Sequence, residues 1–224
     1  MSITERFSGI MGSKMSDRAF HILGCGAIGS SAATQLARCG AGAMYLYDMD
    51  LVSIENVGVS QYNCRDIDKP KVEALQDIIK YINPICVVEG LHGKFNEKDY
   101  IPSPFYKNVI ILGFDDMESR LDAVTIICKS HLKPELLIDG RMGAEHYQQY
   151  TFANPKLAAY EKTWYSDSEG DPEPCNAKAT SYCSNMSGSF IANAVRKVIT
   201  GQPFNKEISF NFPTLMLGKK GIVS

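Results

Sequence analysis

No stretch of the 224-residue sequence approaches the roughly 18 to 20 consecutive apolar residues that a membrane-spanning helix requires. The N-terminal stretch, MSITERFSGIMGSKMSDR, also lacks the apolar core of a secretory signal peptide. There is no excess of basic residues either, because 23 Lys and Arg stand against 25 Asp and Glu, for a net charge of -2. Nucleic acids and anionic membranes attract basic surfaces, so neither is expected as a partner. We therefore expect a cytoplasmic protein.

The cysteines form no pattern typical of a disulfide framework or a zinc site. Their number is odd, at seven, and no two are spaced as C-x-x-C. Because cytosolic thiols normally stay reduced, most of them are interpreted as small buried apolar residues. Internal repeats and low-complexity tracts are also absent. Hydrophobic residues make up 45% of the chain and charged residues 21%, which is typical of a globular protein.

The apolar pattern alternates between short buried runs and segments with helical spacing. The predicted strands are 19–23, 43–47, 85–88, 108–112, 136–139, 147–152 and 207–212, and the predicted helices are 30–38, 71–81, 117–130 and 190–199. Strand–helix–strand units of this length imply parallel strands. We predict one domain over residues 1–224, with a Rossmann-like doubly wound α/β fold. Its sheet is mainly parallel with late antiparallel strands, 1–18 forms an N-terminal arm, and 154–184 is a long crossover loop.

A glycine-rich turn, GCGAIGS, joins the first predicted strand to the first long helix. Gly24 permits the tight turn, Gly26 lets a phosphate approach the backbone, and Gly29 lets helix pack on strand. The helix N-terminus offers free N–H groups to an anion, and Asp48 at the end of the second strand suits ribose hydroxyls. This pattern predicts a nucleotide site, but it fits an NAD(P)-dependent dehydrogenase as well as an ATP enzyme.

Four further motifs separate ATP from NAD. They are DMDLVSIENV at 48–57, GVSQ at 58–61, DIDKPK at 66–71 and DDMESR at 115–120. With the glycine turn and in this order, they resemble the superfamily of ThiF, molybdopterin-synthase adenylyltransferase and ubiquitin-activating enzymes. The register of the resemblance runs from about Arg6 to Phe212, which is nearly the whole chain.

The resemblance implies an adenylyltransferase that uses ATP and Mg²⁺. ATP would lie over the glycine turn, with Asp48 on the ribose, Lys71 on the phosphates and Asp115 as the catalytic ligand of Mg²⁺, a cation that prefers oxygen. The residues implied in nucleotide binding are Arg6, Gly24, Gly26, Ala27, Gly29, Asp48, Asp50, Asn56, Gln61, Lys71, Asp116 and Arg120.

Simpler structural interpretations stay open for several of these residues. Lys71 could be a solvated surface charge, and Asp115 could be an ordinary helix cap. Arg120 could pair with a carboxylate on the surface of its own helix, and Asn56 could be a turn residue. Arg6 could be a solvent-facing residue of a flexible arm.

The sequence departs from the family pattern at three places. Ser60 stands where an arginine normally precedes Gln61, although Arg65 follows nearby. Asp116 replaces the asparagine of the usual D-N pair and adds negative charge beside the metal position. Ala27 stands where the family often has a glycine. These differences bear on the substrate more than on the nucleotide.

The resemblance also implies partners. The substrate would be a ubiquitin-like or sulfur-carrier protein whose glycine-ended C-terminal tail carries the carboxylate to be adenylated. The family often takes a phosphate-binding arginine from a second subunit, and Arg6 is the matching residue, so a homodimer is expected. Some members then form a thioester, for which Cys175 is the candidate catalytic thiol and Cys183 the alternative, the other interpretation being that both only pack the loop.

Other functions remain compatible with the residues. A variant of the same activity would adenylate the carboxylate of a peptide or a small molecule, such as a modified peptide or tRNA base. An NAD-binding oxidoreductase would use the glycine turn without needing Lys71. A catalytically silent ThiF-like partner subunit is favoured by the missing arginine at Ser60.

Overall fold

The computed structural model describes residues 3–11, 14–169 and 179–223, and it contains one eight-stranded sheet in the order β3-β2-β1-β4-β5-β6-β7-β8. The strands are β1 (Arg18–Leu23), β2 (Ala43–Asp48), β3 (Val87–His92), β4 (Lys107–Leu112), β5 (Leu136–Gly143), β6 (His146–Ala153), β7 (Phe204–Asn211) and β8 (Met216–Val223). The first five strands are parallel, and β6, β7 and β8 are antiparallel. The predicted fold class is confirmed.

Helices cover both faces of the sheet. They are α1 (Ser8–Met11), α2 (Ala27–Arg38), α3 (Ile54–Val59), α4 (Lys71–Ile82), α5 (Met117–Lys129), α6 (Leu157–Tyr160) and α7 (Ser181–Ile199). The apolar sides of α2, α4 and α7 share one core with the sheet, whereas α5 and α6 close a second core on the opposite face. None of the helices in the described ranges is long and apolar enough to cross a membrane.

The order of the strands explains where a ligand can bind. From β1 the chain proceeds to β2 and β3 on one side of the sheet and then to β4 and β5 on the other. The loops after β1 and β4 therefore lead away in opposite directions, which leaves a crevice at the carboxyl ends of these strands. The glycine turn begins at this crevice, directly after β1.

Several elements differ from the sequence prediction, among them α3, which lies where no helix was predicted. The third strand begins at Val87, because the N–H of Cys86 is bonded to the carbonyl of Asn83 in the turn that follows α4. The described part of the predicted loop 154–184 contains α6, two short 3-10 turns and the first turn of α7. Strand β8 was missed, because Gly218, Gly221 and two lysines hide the strand pattern of a segment that is exposed along nearly its whole length.

A buried histidine lies at the centre of the second core. His21 on β1 is fully buried, with Nδ1 3.1 Å from the Tyr47 hydroxyl and Nε2 2.9 Å from Oδ1 of Asn108. Its ring stacks on Tyr45 with centroids 5.0 Å apart. Burial lowers the pKa of His21 from 6.5 to about 4, against a smaller opposing effect of the Asn108 hydrogen bond. The imidazole is therefore neutral in the folded protein at neutral pH.

This burial predicts a loss of stability in mild acid. Between pH 6.5 and 4 the unfolded chain binds a proton at His21 that the folded chain excludes, so the free energy of unfolding falls as the pH falls through this window. Over the whole window, His21 lowers the free energy of unfolding by about 3 kcal/mol. Chemical denaturation at several pH values should show this slope, and His21→Gln should flatten it.

The exposed His131 provides the control. His131→Gln should keep the slope of the wild-type protein. A His21→Gln variant whose stability fell as steeply as the wild type between pH 6.5 and 4 would contradict the assignment to His21.

Candidate functional site

A cavity of about 1290 Å³ lies at the carboxyl ends of β1, β2, β4 and β5. Ten of the predicted site residues line it, namely Gly24, Gly26, Ala27, Asp48, Asp50, Asn56, Lys71, Asp115, Asp116 and Arg120. Gly29, Gln61 and Arg6 are not among its lining residues. Cys175 lies outside the described residues.

The glycine turn brings three segments of backbone into contact. Gly24 has a φ of +88°, and a Cβ added there would lie 2.8 Å from the carbonyl group of Gly113, after β4. A Cβ at Gly29 would lie 1.8 Å from the carbonyl oxygen of Gly24. Side chains at these two positions would therefore force the turn apart, as expected where a helix begins directly against a strand.

Gly26 has a different role from its two neighbours. A Cβ added at Gly26 would meet nothing within 4 Å, and the residue lines the cavity. It is the N-cap of α2 and provides no side-chain cap to the helix. Ala27 and Ile28 of the first turn of α2 also line the cavity, so the positive end of the helix dipole lies at the cavity, which is a favourable place for a phosphate.

Asp48 is fixed by the turn itself. Its Oδ2 accepts the N–H of Cys25 at 2.7 Å, and its Oδ1 accepts the N–H of Asp50 at 2.8 Å. Burial raises the pKa of the Asp48 carboxyl group, while the Lys71 ammonium and the two N–H donors oppose that rise. These bonds hold the end of β2 against the glycine turn. Asp48 therefore keeps a fixed position beside the turn, which its predicted role in ribose binding requires.

Lys71 is a buried lysine at the start of α4. Its Nζ lies 2.7 Å from Oδ2 of Asp50 and 4.0 Å from Oδ1 of Asp48, and only 8% of the residue is exposed. Its own N–H is bonded to the carbonyl of Asp50 at 3.0 Å. The interpretation as a solvated surface charge is therefore wrong, and the ammonium lines the same cavity as Asp115.

The two aspartates after β4 differ in what they bind. Asp116 is the N-cap of α5 and accepts the N–H of Ser119 at 2.6 Å. Asp115 is exposed, and among the residues that the structure describes it has no hydrogen bond or ion pair. The helix-cap interpretation thus applies to Asp116, and the carboxylate of Asp115 is available to a ligand in the cavity.

Arg120 pairs with a residue that the sequence did not suggest. Its guanidinium donates to Oδ1 of the fully buried Asp139 on β5 and to the carbonyl of Phe114, so it does not pair with a carboxylate on its own helix. Asp139 also accepts hydrogen bonds from Arg141 and from the hydroxyl of Tyr160. Arg120 therefore braces the start of α5 against β5.

Asn56 and Gln61 both have local partners. The side chain of Asn56 accepts the N–H of Ser53 at 3.0 Å in a capping box of α3, which agrees with its interpretation as a turn residue. Gln61 donates to Oδ1 of Asn185 on α7 at 2.7 Å. Asn56 still lines the cavity, whereas Gln61 connects the loop after α3 to α7.

Arg6 is exposed, and in its own chain it lies away from the cavity. The adjacent Phe7 lies with Gln35 and Arg196 in a second groove, beside the C-terminal half of α2. Since α2 has 12 residues, this groove lies about 15 Å from the glycine turn. Arg65 is also exposed and lines neither site.

Cys183 is fully buried in the first turn of α7. Burial, with a smaller contribution from Glu145, raises the pKa of its thiol to about 11. The thiol of Cys183 is therefore protonated at neutral pH and shielded from solvent, which makes it a poor nucleophile.

The charge of the cavity bears on the predicted metal. Its lining includes seven carboxylate and four cationic side chains, so a triphosphate would need further positive charge. Among the described residues, no three His, Cys, Asp or Glu side chains are arranged to hold a metal ion by themselves. Mg²⁺ in nucleotide sites usually takes one or two carboxylates and completes its shell with phosphate and water. The free carboxylate of Asp115 fits this requirement.

Several cavity residues could not be found from the sequence motifs. The side chains of Phe114, Arg141, Tyr165 and Asp167 line the cavity. Arg141 lies two residues after Asp139, on the same face of β5. This spacing of an acidic and a basic residue in an apolar strand was the only feature of the sequence that could have indicated Arg141. Tyr165 and Asp167 lie within the predicted crossover loop, whose contacts the sequence does not specify.

The sheet order and the glycine turn define a Rossmann-like α/β protein. Within that class the chain belongs to the ThiF family, whose profile matches residues 7–217.

The curated relatives that match this chain carry several different names. The tRNA threonylcarbamoyladenosine dehydratase of Bacillus subtilis is 36% identical over 52% of this chain and 43% of its own length. The molybdopterin-synthase adenylyltransferase of Haemophilus influenzae is 29% identical over 44% of this chain and 41% of its own. The ubiquitin-like modifier-activating enzyme 5 of Caenorhabditis briggsae is 36% identical over 33% of this chain and 17% of its own length. The alignments thus span less than half of each relative.

Solved structures agree with the fold over nearly the whole chain. Escherichia coli MccB with MccA-N7isoASN superposes with a TM-score of 0.77 at 15% identity, covering 99% of this chain and 72% of the MccB chain. MccB with ATP gives 0.73 at 17% identity, covering 95% and 66%. PaaA gives 0.72 at 17% identity, covering 96% and 67%. At these identities the likeness shows the fold alone.

Two glycine variants should separate folding from nucleotide binding. Gly26→Ala places a methyl group in the open space before α2, so we expect a small change in melting temperature and a loss of ATP affinity of about tenfold or more. Gly29→Ala collides with the Gly24 carbonyl and should cost about 1–3 kcal/mol of stability. Thermal melts and calorimetric titration with ATP measure both. Equal ATP affinity for Gly26→Ala and the wild type would argue against a phosphate at this turn.

Proposed function

We propose that this protein is an ATP-dependent adenylyltransferase that activates a carboxylate as its acyl-adenylate, with residues 1–224 acting as one ATP-binding domain. The observation that carries the proposal is the position of the glycine turn, Asp48, Lys71 and the unpaired Asp115 around one cavity. Each of the first three has a function for one part of ATP, and Asp115 supplies a hard oxygen ligand near the phosphates. Membership of the ThiF family supports the same activity.

In this mechanism the chain binds each part of ATP through a separate element. Asp48 accepts hydrogen bonds from the ribose hydroxyls, and the N–H groups at the start of α2 bind a phosphate beside Gly26. Lys71, whose Nζ is paired with Asp50 at 2.7 Å and lines the cavity, binds the triphosphate. A bound Mg²⁺ would neutralise phosphate charge and polarise the reacting phosphoryl group.

The chemical step needs no general base. A substrate carboxylate oxygen attacks the α-phosphorus, a new P–O bond forms, and the bond to the bridging oxygen breaks, so that pyrophosphate leaves with the electron pair. A carboxyl group is already ionised at neutral pH, and no proton has to be removed. Lys71 and the α2 N-terminus stabilise the negative charge that moves onto the leaving group.

We propose that the substrate is the C-terminal carboxylate of a ubiquitin-like or sulfur-carrier protein with a glycine-ended tail. A narrow tail can enter the cavity beside the nucleotide, where β5 contributes Met142 and Gly143 to the wall. The second candidate is the carboxylate of a peptide, which would enter the cavity by the same open side as a carrier tail. A carboxylate on a tRNA base is less favoured, because the net charge of -2 gives no attraction for nucleic acid.

We further propose that the enzyme acts as a homodimer in which Arg6 of one copy reaches the cavity of the other. Two observations support this arrangement. Arg6 is exposed without a bonded partner among the described residues, and its arm lies by the C-terminal half of α2, away from its own cavity. An exposed arginine at this position is free to contact phosphate on a second copy.

The proposed role of Asp115 is tested by ATP–pyrophosphate exchange. With Mg²⁺ and a synthetic peptide ending in Gly-Gly, or the carrier protein itself, the wild type should exchange pyrophosphate into ATP. Asp115→Ala should lower the rate on the order of 100-fold, because it removes an unpaired carboxylate that lines the cavity directly after β4. Asp77→Ala, at an exposed site on α4, is the matched control and should exchange normally.

Three outcomes would count against this proposal. Exchange that persists in Asp115→Ala would reject the role of that residue. Tighter binding of NAD(H) than of ATP with Mg²⁺ would favour an oxidoreductase. Absence of exchange with both carrier and peptide carboxylates would favour a catalytically silent subunit.

A thioester intermediate would place Cys175 in the reaction after adenylation. Cys183 is excluded by its burial, and Ala179, where the described chain resumes, lines the cavity. After incubation with ATP and carrier, a thiol-labile enzyme–carrier adduct should appear on non-reducing gels. Cys175→Ser should abolish that adduct, and Cys183→Ser should retain it. A thiol-labile adduct that survives in Cys175→Ser would exclude this residue as the acceptor.

A further inference from the structure

A buried ion cluster forms part of the wall of the cavity, which two of its members, Arg120 and Arg141, line. Asp139 on β5 is completely buried and accepts hydrogen bonds from two arginines of different elements. Arg120 reaches it from α5, and Arg141 lies two residues along the same strand, 2.7 Å from Oδ2. Tyr160 adds a hydroxyl donor at 3.2 Å. Because one carboxylate serves two guanidinium groups, the positions of these elements depend on one another.

Two sets of hydrogen bonds, which we call routes, connect this cluster to the turn that carries Asp115. The first route reaches the backbone just before Asp115. Besides its bond to Asp139, Arg120 donates to the carbonyl of Phe114. Phe114 directly precedes Asp115. The peptide unit that leads into the free carboxylate is therefore fixed by a side chain that is itself held by β5.

The second route passes through the segment 163–167, which we call the strap. Arg141 donates to the carbonyl of Thr163 at 2.7 Å. The next strap residue, Trp164, donates its indole N–H to the carbonyl of Met117 at 2.7 Å. Asp167, at the end of the strap, accepts the N–H of Met117 at 3.2 Å. The strap thus holds both backbone polar groups of Met117, two residues after Asp115.

Arg141 is held on the strap by more than hydrogen bonds. Its guanidinium carbon lies 4.6 Å from the centre of the Tyr150 ring on β6 and 5.2 Å from that of Tyr165 on the strap. A planar guanidinium between two aromatic faces, with bonds to Asp139 and Thr163, has a geometry that lysine cannot reproduce.

The two routes end on either side of Asp115, which has no bonded partner of its own among the described residues. The position of its carboxylate is therefore set by the backbone of the turn alone. We propose that Arg141 is a positioning residue that holds the turn 114–117, and so places Asp115 for the reaction. This proposal rests on the proposed function for the role of Asp115. The contacts between Arg141 and the strap can, however, be measured without an activity assay.

Trp164 provides that measurement, since it is the only tryptophan in the chain. Its fluorescence reports the bond between the strap and Met117. In the full-length protein, Arg141→Gln should raise the acrylamide quenching constant of Trp164 about twofold or more, because the strap loses its anchor to the sheet. Arg141→Lys should have a quenching constant close to that of Arg141→Gln, because lysine cannot replace the contacts of the guanidinium. Arg38→Gln, at an exposed arginine on α2, is the control and should leave quenching unchanged.

The kinetic consequence distinguishes positioning from binding. If Arg141 only places Asp115, then Arg141→Gln should lower kcat of pyrophosphate exchange about tenfold or more and leave KM for ATP within about twofold. Circular dichroism melts confirm that the variant is folded. Should Arg141→Gln not fold, Tyr165→Leu removes one stacked ring from a residue that is 36% exposed and should shift quenching and kcat in the same direction.

Two results would overturn the proposal. One is unchanged quenching in folded Arg141→Gln or, failing that, in Tyr165→Leu. The other is a loss of exchange that lies wholly in KM for ATP. If the wild type does not exchange pyrophosphate at all, the proposed function fails, whereas the quenching measurement still decides whether Arg141 holds the strap.

Discussion

The close approach of three backbone segments at Gly24, Gly29 and Gly113 is the constraint on which the site depends. A side chain at Gly24 or Gly29 would overlap the neighbouring backbone, so only glycine lets α2 begin directly against the end of β1. That contact directs the helix N-terminus into the cavity. It also brings the N–H of Cys25 within 2.7 Å of Asp48, which joins the anion site to the proposed ribose position.

The charges around the cavity follow a consistent arrangement. Asp48, Asp116 and Asp167 all accept backbone N–H groups, and Asp50 binds Lys71. These carboxylates are engaged by the protein, so their negative charge is already compensated by nearby donors. Asp115 has no such partner among the described residues, and neither does Asp122 further along α5. Asp115 differs from Asp122 in that it follows β4 directly, beside the glycine turn, so a ligand bound at that turn can offset the desolvation of its carboxylate. This position is the physical reason for assigning Asp115 to the reacting end of the nucleotide.

The sequence predicted which residues close to a strand end share the cavity, and it did not predict partners that are distant along the chain. Gly24, Asp48, Lys71 and Asp115 follow strands or open helices, and parallel strands necessarily bring such positions to one edge. The partner of Arg120 is 19 residues away, and Trp164 is 47 residues from Met117. Pairings of that kind are decided by tertiary packing, which no local pattern encodes.

Strand β8 illustrates the same limit at the level of secondary structure. Its residues have little apolar alternation, and they form a strand because the backbone of β7 offers an unpaired edge. The strap is a comparable case, since it has no regular structure of its own around Trp164 and Tyr165. It is ordered by what it touches, namely Arg141 on the sheet and Met117 on α5. A segment ordered only by such contacts can move when one of them changes, and here those contacts adjoin the turn that carries Asp115.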